Sequence, residues 1–136
     1  MENRKYHGSR KLRHWLSVPF IWVMIVPLVI MHFFTAIYHY VCFPLWGIPL
    51  LKLRDYIKFD RVKLSYLNLF DKVNCTYCSY ANGFLNYTVA IAGKTEKYWC
   101  GIKHAKYRGF VPSKHQKEFL EYGDEKAFNK YINKPK

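Results

Sequence analysis

Four side chains suited to holding one metal ion stand in the second half of this chain. Cys75 and Cys78 lie in Asn74-Cys75-Thr76-Tyr77-Cys78, and Cys100 and His104 in Trp99-Cys100-Gly101-Ile102-Lys103-His104. Written as a spacing the set is C-x2-C-x21-C-x3-H. Two thiolates separated by two residues can grip one ion from a tight turn, and residues four apart share one face of a helix. Together they predict a tetrahedral Cys3His centre. Structural zinc is the first expectation; an iron site or an iron–sulfur cluster with one His ligand uses the same residue types and is the alternative. A rubredoxin-like site would need a second C-x2-C knuckle, which the chain lacks. Haem attachment is disfavoured because Ser79, not His, follows Cys78. No βαβ pattern surrounds the C-x2-C pair, which argues against a thioredoxin-like exchanger. The competing reading is four isolated residues whose thiols pack in a small core.

Other chemistry is thin. There are no paired carboxylates, no nucleophile–base set and no glycine-rich phosphate loop, so an enzymatic role is disfavoured. His32 and His39 are seven apart and share a helical face; hydrogen bonding to neighbouring tyrosines at a membrane interface is their expected role. Cys42 reads as a small buried hydrophobe. Asn74-Cys75-Thr76 and Asn86-Tyr87-Thr88 match the glycosylation pattern, but the first overlaps a proposed ligand, and both are read as accidental. The tyrosines and phenylalanines mostly follow helical stripes, which argues core rather than nucleotide stacking.

The elements that must position these residues begin with a membrane segment. No Asp, Glu, Lys or Arg occurs from residue 14 to residue 51. A run of that kind reads as membrane-embedded, since no small soluble core would bury it. It is too long for a signal-peptide core and has no small-residue cleavage site, so it is expected to be retained. The boundaries are therefore a basic leader (1–14), a membrane-embedded segment (15–51) and a basic helical domain carrying the Cys3His site (52–136). As one helix the run would extend ~57 Å, nearly twice the ~30 Å hydrocarbon thickness. Pro19, Pro27, Pro44, Gly47 and Pro49 offer places to break it. Two topologies follow: one span with the segment from Cys42 to Leu51 in the interface, or a re-entrant hairpin. Cations flank both ends, which favours the hairpin with both flanks cytoplasmic.

The whole chain carries a formal charge of +13, and residues 52–136 hold 17 Lys and Arg against 8 Asp and Glu. Such a tethered basic domain most simply faces anionic head groups. Nucleic acid is the less favoured partner, because the tether already accounts for the charge.

Helical periodicity governs the rest. Asp60 can cap a helix through Leu64, Leu67, Phe70 and Val73 that ends near Asn74. A second helix over about Tyr80 to Ala92 places Phe84, Leu85, Thr88 and Ile91 on one side, with Gly93 as its stop. Thr95 and Glu96 open a third, and the hairpin made by the second helix would bring the two ligand pairs together. Pro112-Ser113 breaks the chain. Gly123-Asp124 forms a stop and a new cap ahead of Ala127, Phe128, Tyr131 and Ile132. The expected fold is mainly α: a membrane-embedded helical segment or re-entrant hairpin plus a small helical metal-binding domain.

Through Leu64-Ser65-Tyr66-Leu67-Asn68, Cys75-Thr76-Tyr77-Cys78-Ser79-Tyr80-Ala81-Asn82-Gly83 and Thr95-Glu96-Lys97-Tyr98-Trp99-Cys100-Gly101-Ile102-Lys103-His104, the chain resembles a family of small bacterial membrane proteins with a C-x-Y-C-x-Y-A-N-G…T-E-x-Y-W-C-x-I-K-H core. The likeness extends upstream through Cys42-Phe43-Pro44-Leu45-Trp46-Gly47-Ile48-Pro49. Where the pattern has Pro after the third cysteine, this chain has Gly101. The resemblance implies that the four ligands form a unit, and it implies a bacterial inner (cytoplasmic) membrane. It supplies no activity. The expected function is a membrane-anchored, metal-binding accessory or interaction protein of a membrane complex, partnered by the bilayer and another membrane protein. A membrane-tethered electron carrier is the alternative.

Overall fold

The computed structural model describes residues 11–133. The leader's first ten residues lie outside them. The chain is mainly helical, and its described residues contain no strand, only an isolated bridge between Ile102 and Leu120. They form two compact units, one running through Leu85 and the other beginning at Asn86.

The first unit opens with the apolar run as helix. α1 (Lys11–Val23) and α2 (Ile25–Leu45) are separated by Met24 alone. Pro27 explains the break, because it has no N–H to offer the carbonyl of Val23 four residues earlier. Met24 instead closes a tighter turn on Ile21 O at 3.3 Å. The hairpin expected from the charged flanks is not formed: a one-residue interruption bends the helix without reversing it. Trp15–Leu45 is long and apolar enough to cross a membrane.

α2 ends where the sequence changes register. Gly47 takes a left-handed φ of 68°, its N–H returning to Pro44 O and that of Ile48 to Phe43 O. That is a Schellman closure, and it satisfies carbonyls that would otherwise be orphaned. Pro49 then prevents continuation. His39 is fully buried, and its Nε2 accepts the Leu51 N–H at 3.1 Å, tying the segment after the turn back onto α2. A short helix, α3 (Leu53–Tyr56), and a 3-10 turn over Asp60–Lys63 follow.

The largest departure from expectation is α4 (Leu69–Trp99), a single 31-residue helix in place of three. Its cap is Asn68 rather than Asp60: Asn68 Oδ1 accepts the Asp71 N–H at 2.8 Å, the geometry of an N-cap side chain. Gly93 does not stop the helix. Thr95 does not start one either, because its hydroxyl donates to Ile91 O at 3.0 Å, as helix-interior threonines do. The stop is Gly101, whose φ of 60° is left-handed and whose N–H reaches back to Glu96 O. The fixed φ of proline, near −65°, is incompatible with that position, so glycine rather than proline suits this stop. Along α4, Ala81, Phe84, Tyr87 and Ile91 are buried, steps of three and four that make one helical stripe. Leu85, expected on that stripe, is 44% exposed.

Within the second unit the chain after Gly101 pairs with the segment around Leu120, through Lys103 N–H to Leu120 O (2.8 Å) and Leu120 N–H to Gly101 O (2.9 Å). A 3-10 turn covers Lys114–Glu118. The final helix is the one the sequence predicts. Gly123 is left-handed (φ 79°), Asp124 Oδ1 accepts the Ala127 N–H at 2.9 Å, and α5 runs Glu125–Ile132.

Candidate functional site

The proposed ligands divide by element. Cys75 and Cys78 sit on α4, three residues apart on an unbroken helix, half-buried and exposed respectively. Their expected tight turn is therefore a helical turn, which still leaves both side chains on one face. Cys100 follows the last residue of α4 and is exposed. His104 is exposed in the irregular chain beyond Gly101, its ring edge-on to Phe110 at 5.5 Å. The expectation that Cys100 and His104 share a helical face is corrected: the left-handed Gly101 ends the helix between them. The reversal near Gly93 that was to fold one pair onto the other is also absent, since α4 continues to Trp99. Among the described residues, no group of three or more His, Cys, Asp and Glu side chains is gathered to hold a metal. All four cysteines are free thiols.

The two histidines of the apolar helix make structural contacts. His32 Nδ1 lies 3.0 Å from the Tyr80 hydroxyl, and its ring stacks on Phe84 at 4.6 Å. A tyrosine partner was expected, though one from the neighbouring run rather than from α4. His39 serves backbone.

The second unit holds a polar cluster that sequence reasoning missed. Glu96 Oε2 meets His115 Nε2 at 2.7 Å, and Glu96 Oε1 accepts from Gln116 Nε2 at 2.7 Å. Gly93, one turn earlier, makes the room: a Cβ there would lie 2.7 Å from His115 Cγ. Burial by itself pushes the Glu96 carboxyl up, but the hydrogen bonds from His115 and Gln116, with the positive charge of His115 and His104, hold it below the usual carboxylate range. Gln116 is buried, and its Oε1 has no hydrogen-bond partner among the described residues. Such an orphaned acceptor costs about 1–3 kcal/mol. From sequence, Glu96 read only as a charge near a helix start; its partners lie 19 and 20 residues away and carry no pattern.

Beside the cluster is a cleft of about 850 Å³, lined by Lys106, Lys114, Lys117, Tyr107, Phe110 and Gln116 among others. Lys103, also in its wall, is ion-paired with Glu121. The lining carries more positive than negative charge, so it suits an anionic group better than a cationic one. No protein-family model, curated protein or solved structure matches the chain.

Proposed function

We propose that this is a membrane-anchored accessory or interaction protein of a membrane complex. One observation carries the reading. Most of the apolar side chains of Trp15–Leu45 turn outward: Phe20 is 74% exposed, and Phe33 and Phe34 are exposed to a similar degree. An apolar face of this extent on a folded chain marks contact with lipid or with another protein. The basic second unit, with its lysine-lined cleft, supplies charge that attracts anionic head groups or an acidic partner. Retention in the membrane fraction through an alkaline carbonate wash, with release by detergent, is the expected result. Release by salt alone refutes the anchor.

Zinc belongs to this reading on the strength of the C-x2-C…C-x3-H spacing, as a structural element at Cys75, Cys78, Cys100 and His104. Iron at the same ligands makes the protein an electron carrier instead. The continuous α4 does not assemble the four ligands, so a single tetrahedral site requires that helix to open. A colourless purified protein containing one zinc per chain supports the structural role, and a reducible charge-transfer band supports the redox one.

A further inference from the structure

We infer that the apolar helix lies in the plane of the membrane, sunk into one leaflet of a lipid surface, and does not cross it. The inference rests on the membrane anchoring proposed above and adds its geometry.

The first half of α4 runs alongside the apolar helix in the same direction. Trp15 packs on Phe70 at 6.0 Å, Trp22 on Tyr77 at 5.2 Å, and His32 on both Tyr80 and Phe84. The Tyr77 hydroxyl donates to Ile21 O at 2.9 Å. Partners rise together along both elements, so the pairing is parallel. Parallel neighbours need a connection that travels back the full length of the pair. Residues 46–68 make it, passing beside α4 where Gly83 abuts Tyr56 O and Ile57.

That return segment is not fit for hydrocarbon. It carries Lys52, Arg54, Asp55, Lys58, Asp60, Arg61 and Lys63, all exposed, and much of its backbone is irregular. Were Trp15–Leu45 to span a bilayer, these charges would be held at the depths the helix crosses. Lipid-exposed irregular backbone does not occur there, and exposed charges there are strongly disfavoured. The faces of the helix agree. Leu28, His39 and Phe43 are buried, with His32 turned toward α4, while Phe20, Val29, Ile30, Phe33, Phe34 and Leu45 are all exposed. Both polar histidines face protein, and the apolar arc faces out. One apolar arc, a polar body on the other side and flanking cations are the features of an interfacial helix on an anionic surface. Cations at both flanks follow as well, since both flanks then stay on one side without any reversal.

The test uses the full chain, tagged at each end, reconstituted by addition to preformed vesicles of phosphatidylcholine containing phosphatidylglycerol. Both tags are expected to be cut completely by external protease, while the protein resists carbonate extraction. A second readout places one tryptophan at residue 33 by Phe33→Trp, with the four native tryptophans changed to phenylalanine. Lipids brominated near the head group should quench it more strongly than lipids brominated near the chain end. One tag protected inside sealed vesicles, or stronger quenching from the bilayer centre, overturns the in-plane arrangement and leaves the anchoring reading standing. Loss of the protein in carbonate overturns the anchoring reading itself.

Discussion

Gly93→Ala offers a test whose sign depends on the structure. In an ordinary helix interior, alanine is favoured over glycine by about 1 kcal/mol, so the substitution should stabilise. Here the added Cβ would lie 2.7 Å from His115 Cγ and 2.8 Å from its Nδ1, against an ordinary contact of 3.4 Å or more. The ring must therefore retreat by about 0.7 Å. It is held on its far side by the 2.7 Å contact to Glu96 and packs on Phe119. Overpacking of this kind costs about 1–3 kcal/mol, and loosening a hydrogen bond to a charged group about 1.5–3 kcal/mol. Set against the helix-propensity gain, the net expectation is a destabilisation of about 2 kcal/mol. Amide hydrogen exchange across residues 88–119 of the detergent-solubilised protein reads that loss locally, which matters in a chain of two units. In a His115→Ala background the obstacle is gone, and Gly93→Ala should then stabilise by about 1 kcal/mol. If the substitution stabilises the wild-type chain by that amount, His115 does not sit against α4, and the polar cluster is wrongly placed.

Three further outcomes follow from the same geometry. The Glu96 carboxyl is depressed when folded, so its contribution is present above the ordinary carboxylate pKa and is lost as pH falls through the folded value. Exchange protection around residues 91–119 should therefore drop in acid, and Glu96→Gln should flatten that dependence. Tyr77→Phe deletes the hydroxyl donated to Ile21 O and should cost about 1 kcal/mol, measured by unfolding in detergent; an unchanged stability would mean that the Met24 N–H, 3.3 Å from the same carbonyl, satisfies it alone and that Tyr77 does not tie α4 to the apolar helix. If one zinc joins the four proposed ligands, Cys75→Ser and Cys100→Ser should each abolish metal content and destabilise the domain, because metal binding and folding are coupled. Retention of full metal content by either variant removes that cysteine from the site.

What the sequence made legible was local chemistry. Gly123-Asp124 announced α5 because a left-handed glycine and an aspartate cap act within three residues of each other. The uncharged run announced an apolar helical segment from composition alone, but not its course: the favoured hairpin is replaced by a helix interrupted only at Met24. The readings that failed were those in which a residue's job is set by a distant neighbour. Gly93 resembles a helix stop, yet it is not among the left-handed glycines, and its lack of a side chain serves His115, 22 residues later. Thr95 resembles a cap, yet its hydroxyl finds Ile91 O within the helix. Those two readings together cut α4 into pieces and supplied the reversal that was to bring the two ligand pairs together, which the continuous helix does not make.

The charge pattern shows the same limit from the other side. Equal positive flanks favour an arrangement in which both ends of the apolar run share a side, but they do not say how. A reversal within the run is one way; a helix that never crosses is another. The parallel contacts from Trp15–Phe70 to His32–Phe84 favour the second, because they oblige a heavily charged segment to travel back beside the helix. Placed in the plane of the membrane, that segment is the wet side of the anchor. His32 and His39 are then the polar seam by which an apolar helix holds α4 and the return segment on its upper face.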